Sequence, residues 1–320
     1  MNKLSLVLAI SLLATPLSLH SQLKKGTPKY AVSDGELRRY EMYSPELQHN
    51  MSIDVWLPPT YDQSRKEGYP VIYTHDSQTL FDAAHSWNRQ AWELDSVVAA
   101  LVADGKMEAP IIVGIAHDEA LETPFGKLNP RNGDLMPNGV VDLIAPEKRD
   151  DVLADQSRNG VKGDKSVDFI AFTLKPAIDS MFNTRRDAKS TAMMGSSMGG
   201  LISLYAVCRR PEVFGSVACL STHIVGFGQN GASVFAAAML GYLAGHLPTD
   251  GEHRIYVDTG TEGLDASYVP YFAHLFDLIK AMGYAEGVNF QGKVYEGATH
   301  NEDSWKARVA VPLTFLFPKL

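Results

Sequence analysis

The chain has 320 residues, 45% hydrophobic and 21% charged, an ordinary globular composition that excludes a disordered or fibrous chain. Its 29 Lys and Arg against 37 Asp and Glu give a net charge of −8, which repels a phosphate backbone and argues against nucleic-acid binding. Two cysteines, Cys208 and Cys219, are too few for a disulfide-stapled scaffold or a cysteine-only zinc site, and read as two buried free thiols or, alternatively, one disulfide.

Met1–Lys3 form a short basic start, Leu4–Leu13 an almost wholly apolar run, and Pro16, Ser18 and Ser21 follow. The run is too short to cross a bilayer and has the layout of a secretory signal. Residues 1–21 are therefore expected to be cleaved. The mature chain, 22–320, is expected to lie in a periplasm or outside the cell, with no membrane span.

Short apolar runs alternate with helical patterns from there on. Strands are predicted at Ser52–Leu57, Pro70–Tyr73, Pro110–Ile115, Thr191–Met194, Ser216–Leu220, Arg254–Val257 and Phe290–Tyr295. Helices are predicted at Glu93–Val102, Val167–Phe182, Leu201–Cys208, Tyr268–Met282 and Trp305–Phe317, with Pro176 expected to kink or divide the second of them. Strand–helix alternation over this length implies one α/β domain, a mainly parallel central sheet flanked by helices. Residues 118–165, rich in Gly, Pro, Asn and charge, are expected to be a long inserted loop over the active-site edge.

Gly195-Ser196-Ser197-Met198-Gly199 fits G-x-S-x-G between a predicted strand and a predicted helix. A serine on such a turn stands above the strand ends, with the Met198 N–H at the helix start facing any oxyanion formed there. A serine hydroxyl needs a general base, and the chain order for this motif places an acid and then a histidine after the serine. His300, on a loop past the last strand, is the expected base, with His223 as runner-up and pocket residue. The acid is expected after Arg254–Val257, at Asp265 or alternatively Glu262. The second oxyanion donor is expected from the backbone of Ser77 or Gln78, after Pro70–Tyr73. Trp87 and Trp92 are candidates to line a pocket for an aromatic or sugar group or to pack in the core, and Arg131 is a candidate to bind substrate. His75-Asp76 and His117-Asp118 both follow predicted strands, which raises a metal as an alternative. The main reading has no metal and no cofactor.

The sequence resembles the putative-esterase (esterase D-like, enterochelin-esterase-like) family of α/β-hydrolases. The resemblance rests on Leu57-Pro58-Pro59-Thr60-Tyr61, on His75-Asp76-Ser77-Gln78-Thr79-Leu80-Phe81-Asp82 with Ser77 in place of the usual glycine, on Trp92-Glu93-Leu94-Asp95, on Gly195–Gly200, on Gly260–Asp265 and on His300-Asn301-Glu302. It implies an α/β-hydrolase fold, with Ser197 as nucleophile and His300 as base. It further implies hydrolysis of a small-molecule or saccharide ester of feruloyl, acetyl-sugar or siderophore type. An acyltransferase using the same Ser–His site and a catalytically silent binding protein are the competing readings. The sequence sets no oligomeric state.

Overall fold

The computed structural model describes residues 23–117, 121–123, 126–153, 160–227 and 231–319. The expected signal segment, 1–21, lies outside the described residues, as does Asp118. In chain order the strands are β1 (Lys24–Lys25), β2 (Glu36–Ser44), β3 (His49–Leu57), β4 (Val71–His75), β5 (Ile111–Ile115), β6 (Leu121–Thr123), β7 (Gly126–Leu128), β8 (Thr191–Ser196), β9 (Ser216–Leu220), β10 (Arg254–Gly260) and β11 (Phe290–Tyr295). The helices are α1 (Leu94–Ala103), α2 (Arg131–Asp134), α3 (Asn138–Val141), α4 (Pro146–Leu153), α5 (Gly163–Asp168), α6 (Lys175–Met181), α7 (Met198–Arg209), α8 (Ala232–His246), α9 (Val269–Ala281), α10 (Glu302–Lys306) and α11 (Ala310–Leu316).

Nine strands form one sheet in the order β1-β2-β3-β5-β4-β8-β9-β10-β11. Pairing is parallel from β5 through β11 and antiparallel from β1 to β5. The central runs in β4, β5, β8 and β9 are mostly apolar because both sheet faces are covered there, whereas β11 at the edge alternates and is partly exposed. Val71 and Tyr73, Val217 and Cys219, and Ile255 and Val257 pack with Leu201, Phe272 and Leu275 on one face. Ile72, Ala218 and Tyr256 pack with Val98, Trp305 and Leu313 on the other. Each such fully buried aliphatic or aromatic side chain contributes about 1.5–3 kcal/mol.

The chain runs outward from β4 to β5, then crosses back past β4 to enter β8. The crevice between the carboxyl ends of β4 and β8 is therefore the topological switch point, where open α/β sheets hold their ligands.

Two prolines shape what the helical periodicity alone does not show. Pro176 lacks an N–H and its ring crowds the carbonyl four residues back, at Phe172. The predicted helix Val167–Phe182 accordingly widens to a π-helical stretch over Phe169–Leu174 between α5 and α6. Pro312 likewise crowds the carbonyl of Arg308, and the predicted helix Trp305–Phe317 is divided into α10 and α11. Arg308 sits in that break with its side chain buried. Residues 118–165 are less loop-like than expected: β6 and β7 pair, and Leu135, Val140, Val141 and Val152 from α2–α4 and their connections join the core. Cys208 and Cys219 are free and buried, and burial pushes both thiols up from the ordinary range. Among the described residues no helix is long and apolar enough to cross a membrane.

Candidate active site

Ser197 is the single residue between β8 and α7, and its backbone takes φ 53° and ψ −121°. A non-glycine residue stays in that sparse region only when its surroundings hold it there. Here the Ser197 N–H donates to the Leu220 carbonyl at 2.9 Å, and the Ser197 carbonyl accepts from the N–H groups of Leu201 and His223 at 3.0 and 3.1 Å. The turn closes so tightly that a Cβ on Gly195 would lie 2.5 Å from the Gly199 carbonyl carbon. Gly195→Ala is therefore expected to lose about 1–3 kcal/mol of stability, read by chemical denaturation, together with any activity that depends on the turn. Wild-type stability and activity in that variant would contradict the geometry.

Asp265 follows β10 in a short 3₁₀ turn, fully buried. Its Oδ1 lies 2.6 Å from His300 Nδ1, and its Oδ2 accepts from the Gly260 N–H at 2.8 Å and the Ser221 hydroxyl at 2.5 Å. Burial opposes ionisation of Asp265, but the His300 and Ser221 hydrogen bonds outweigh it and hold the carboxyl below its usual range. An ionised carboxylate on Nδ1 fixes that nitrogen as the protonated one and leaves Nε2 as the basic atom. The edges of Trp305 and Tyr268 meet the His300 ring at 5.1 and 5.7 Å between centroids, which limits its rotation. Glu262 is exposed, and its N–H donates to the Ala298 carbonyl. The structure thus brings Asp265 to His300.

Ser197 and His300 share a cavity of about 470 Å³ with Asp76, Gln78, Trp87, Arg131, Glu302 and Trp305 among its walls. Met198 opens α7, so its N–H is one of the first-turn amides with no partner inside the helix. Across the crevice, Ser77–Thr79 form a 3₁₀ turn entered through Asp76 at φ 60°. Of the two expected backbone donors there, Gln78 lines the cavity. Ser77 is not among the residues that line it. Its side chain is buried and donates to Asp54 Oδ2 at 2.6 Å, beside the Tyr30 hydroxyl that donates to the same oxygen at 2.5 Å. Gly114 on β5 makes the room, since a Cβ there would lie 2.6 Å from Ser77 Cβ.

The three expected substrate contacts also change. Trp92 is 1% exposed, tilted against Trp305 with centroids 5.9 Å apart, and belongs to the core rather than to the cavity. Trp87 is instead the tryptophan at the mouth, 81% exposed. His223 is buried outside the cavity wall, its Nδ1 2.8 Å from the Tyr268 hydroxyl; burial and then the neighbouring His300 push it down to about 4. Arg131 does reach the cavity, but its guanidinium is committed to Asp76 through two hydrogen bonds of 2.6 Å. Burial works against the Asp76 charge, and Arg131 more than restores it, so Asp76 remains an anion.

His75 and His117 do converge, with ring nitrogens 3.3 Å apart. Burial, then His117, pushes His75 down to about 3. The adjacent carboxylate, Asp76, is held by the Arg131 guanidinium.

Several residues of the site escaped the sequence reading. Glu302 lines the cavity and accepts from Asn88 Nδ2 at 2.5 Å. Tyr268 is buried with its hydroxyl 2.8 Å from His223 Nδ1 and its ring edge-on to His300. Ser221 and Arg308 lie behind Asp265. Glu302 falls inside the quoted His300-Asn301-Glu302 run, which was its only signal.

The family described as "Putative esterase" matches residues 44–132 and 126–315. An endo-1,4-beta-xylanase/feruloyl esterase of Xylanibacter ruminicola is 26% identical over 199 residues, covering 59% of this chain and 22% of that protein. The chain thus spans well under two thirds of that relative's length. An IroE-like serine hydrolase from Shewanella oneidensis superposes with a TM-score of 0.63 at 19% identity, over 88% of this chain and 80% of that one. A ferulic acid esterase from Anaeromyces mucronatus, solved with ferulic acid, superposes with a TM-score of 0.60 at 15% identity, over 90% and 93% of the two chains. At these identities the structural likenesses speak for a shared α/β-hydrolase fold.

Proposed function

The chain belongs to the Putative esterase family of α/β-hydrolases, and on that premise we propose that it is an exported carboxylic ester hydrolase working through an acyl-enzyme on Ser197. One observation carries the reading: a serine on a strained strand–helix turn shares a cavity with a histidine whose Nδ1 lies 2.6 Å from a buried carboxylate.

Ser197 Oγ attacks the ester carbonyl carbon as its proton passes to His300 Nε2, and Asp265 stabilises the imidazolium. The N–H groups of Met198 and Gln78 receive the developing oxyanion. The imidazolium then gives its proton to the departing alkoxide, and an alcohol leaves. Water enters, loses a proton to His300 and attacks the acyl carbon. The carboxylic acid departs as Ser197 recovers its proton.

The substrate is proposed to be an ester carrying an aromatic or sugar ring. Among the described residues that line the cavity, Asp76 and Arg131 cancel in charge and Glu302 adds a carboxylate, which suits hydroxyl groups better than an anion. Trp87 offers a flat face at the mouth. Trp87→Ala is expected to raise KM for a feruloyl or acetylated-xylan ester about five- to tenfold, while p-nitrophenyl acetate turnover stays as in wild type. An unchanged KM on every ring-bearing ester would remove Trp87 from the substrate site.

The reaction class is tested by product analysis with p-nitrophenyl acetate, alone and with glycerol present. Hydrolysis yields acetate in both. A dominant glyceryl acetate product would make the chain an acyltransferase, and no product above background would leave a binding protein. Residues 1–21 as a cleaved signal are tested by N-terminal sequencing of chain recovered from the periplasm or medium of an expressing bacterium.

A further inference from the structure

Behind Asp265, on the side away from His300, stands Ser221, the residue that follows β9. Its backbone takes φ 42°, a left-handed value that a serine adopts at a cost a glycine would not carry. The position nevertheless uses both the N–H and the hydroxyl. The Ser221 N–H donates to Asp258 Oδ1 at 2.9 Å. The Ser221 Oγ lies 2.5 Å from Asp265 Oδ2, 2.9 Å from Trp305 Nε1 and 2.7 Å from Arg308 Nη2.

A hydroxyl has one proton to give and two lone pairs to fill. The indole N–H and the guanidinium can only donate, so they take both lone pairs and the proton must point at Asp265. Arg308 is itself held by Asp258, with Nε and Nη2 at 3.1 and 3.0 Å, and both side chains are buried. Arg308 Nη2 comes within 3.9 Å of Asp265 Oδ2.

We propose that Ser221 is a positioning residue of the site, a relay through which the buried Arg308–Asp258 pair fixes the orientation and the charge of the carboxylate that holds His300. Hydrogen bonds in such a chain polarise one another, and each fixes the next. This rests on the catalytic reading of Ser197, His300 and Asp265.

The test is Ser221→Ala, with Ser221→Gly as the variant that removes the same hydroxyl while easing the left-handed backbone. Both are measured with p-nitrophenyl acetate across pH, and by the proton resonance of His300 Nδ1–H. The expected kcat falls about ten- to hundredfold with KM unchanged, as outer partners of a functional side chain typically cost. Without the relay, more of the carboxylate's charge falls on the imidazole. The imidazolium then keeps its proton to higher pH, so the acidic limb of the profile moves up and the Nδ1–H resonance shifts. The other ionisable groups around the pair, Asp258, Arg308, Glu302, Tyr268 and His223, stay in place in both variants. Folded Ser221 variants with wild-type kcat, acidic limb and resonance would overturn the relay alone. A wild type that turns over no ester would overturn the catalytic reading and the relay together.

Discussion

Ser197→Ala is expected to lower kcat for p-nitrophenyl acetate on the order of 10⁶-fold, to the level left by binding and oxyanion stabilisation, because the proposed acyl-enzyme is formed on the Ser197 hydroxyl. The variant should fold. Alanine meets the same backbone strain at φ 53° that serine does, and the three hydrogen bonds holding the turn are all backbone. Equal Tm values for variant and wild type, beside the lost rate, separate chemistry from stability. A variant that retains more than about a tenth of wild-type kcat would mean that Ser197 is not the nucleophile.

Asp265→Asn is expected to cost about 10⁴-fold in kcat, and Glu262→Gln nothing measurable. The size of the first effect follows from who donates to the carboxylate. Gly260 N–H and Ser221 Oγ–H both donate to Asp265 Oδ2. An asparagine must turn its single amide oxygen to those two donors, and its NH₂ then faces His300 Nδ1. That forces the imidazole to accept at Nδ1 and to carry its proton on Nε2, the wrong tautomer for a base. Glu262 is exposed and meets its loop through its backbone, so neutralising it changes no bond within the site. Comparable losses in the two variants would return the acid to the ambiguity that the sequence left.

That ambiguity shows where sequence reasoning reaches and where it stops. The turn around Ser197 was legible because its requirements are local: an apolar strand, glycines at the close approach and a helix start, all within a few residues. The central parallel strands were legible because burial on both faces leaves continuous apolar runs, and β11 at the edge because its residues alternate. The outer strand β2, Glu36-Leu37-Arg38-Arg39-Tyr40, was not, since much of it faces water and the buried Arg39 pairs with Asp54 on β3. Helix α8 was missed for the opposite reason. Ala232–His246 is apolar on most sides and contains Gly241 and Gly245, so it carries no clear stripe. Choosing Asp265 over Glu262, or Trp87 over Trp92 for the cavity, depends on which side chain a turn buries, and spacing does not encode that. Ser221 and Arg308 are harder still. Their roles come from Pro312 dividing a helix at Arg308 and from a left-handed residue after β9, so that two side chains 87 positions apart meet behind one carboxylate.

The central claim is a covalent acyl-enzyme on Ser197. Its most direct test is labelling of the purified chain with a fluorophosphonate, followed by intact-mass measurement and peptide mapping. One adduct per chain is expected, on the peptide containing Gly195-Ser196-Ser197-Met198-Gly199 and at Ser197, abolished in Ser197→Ala and slowed in Asp265→Asn. An active wild type that takes no label, or an adduct on Ser196 or Tyr268 instead, would contradict it.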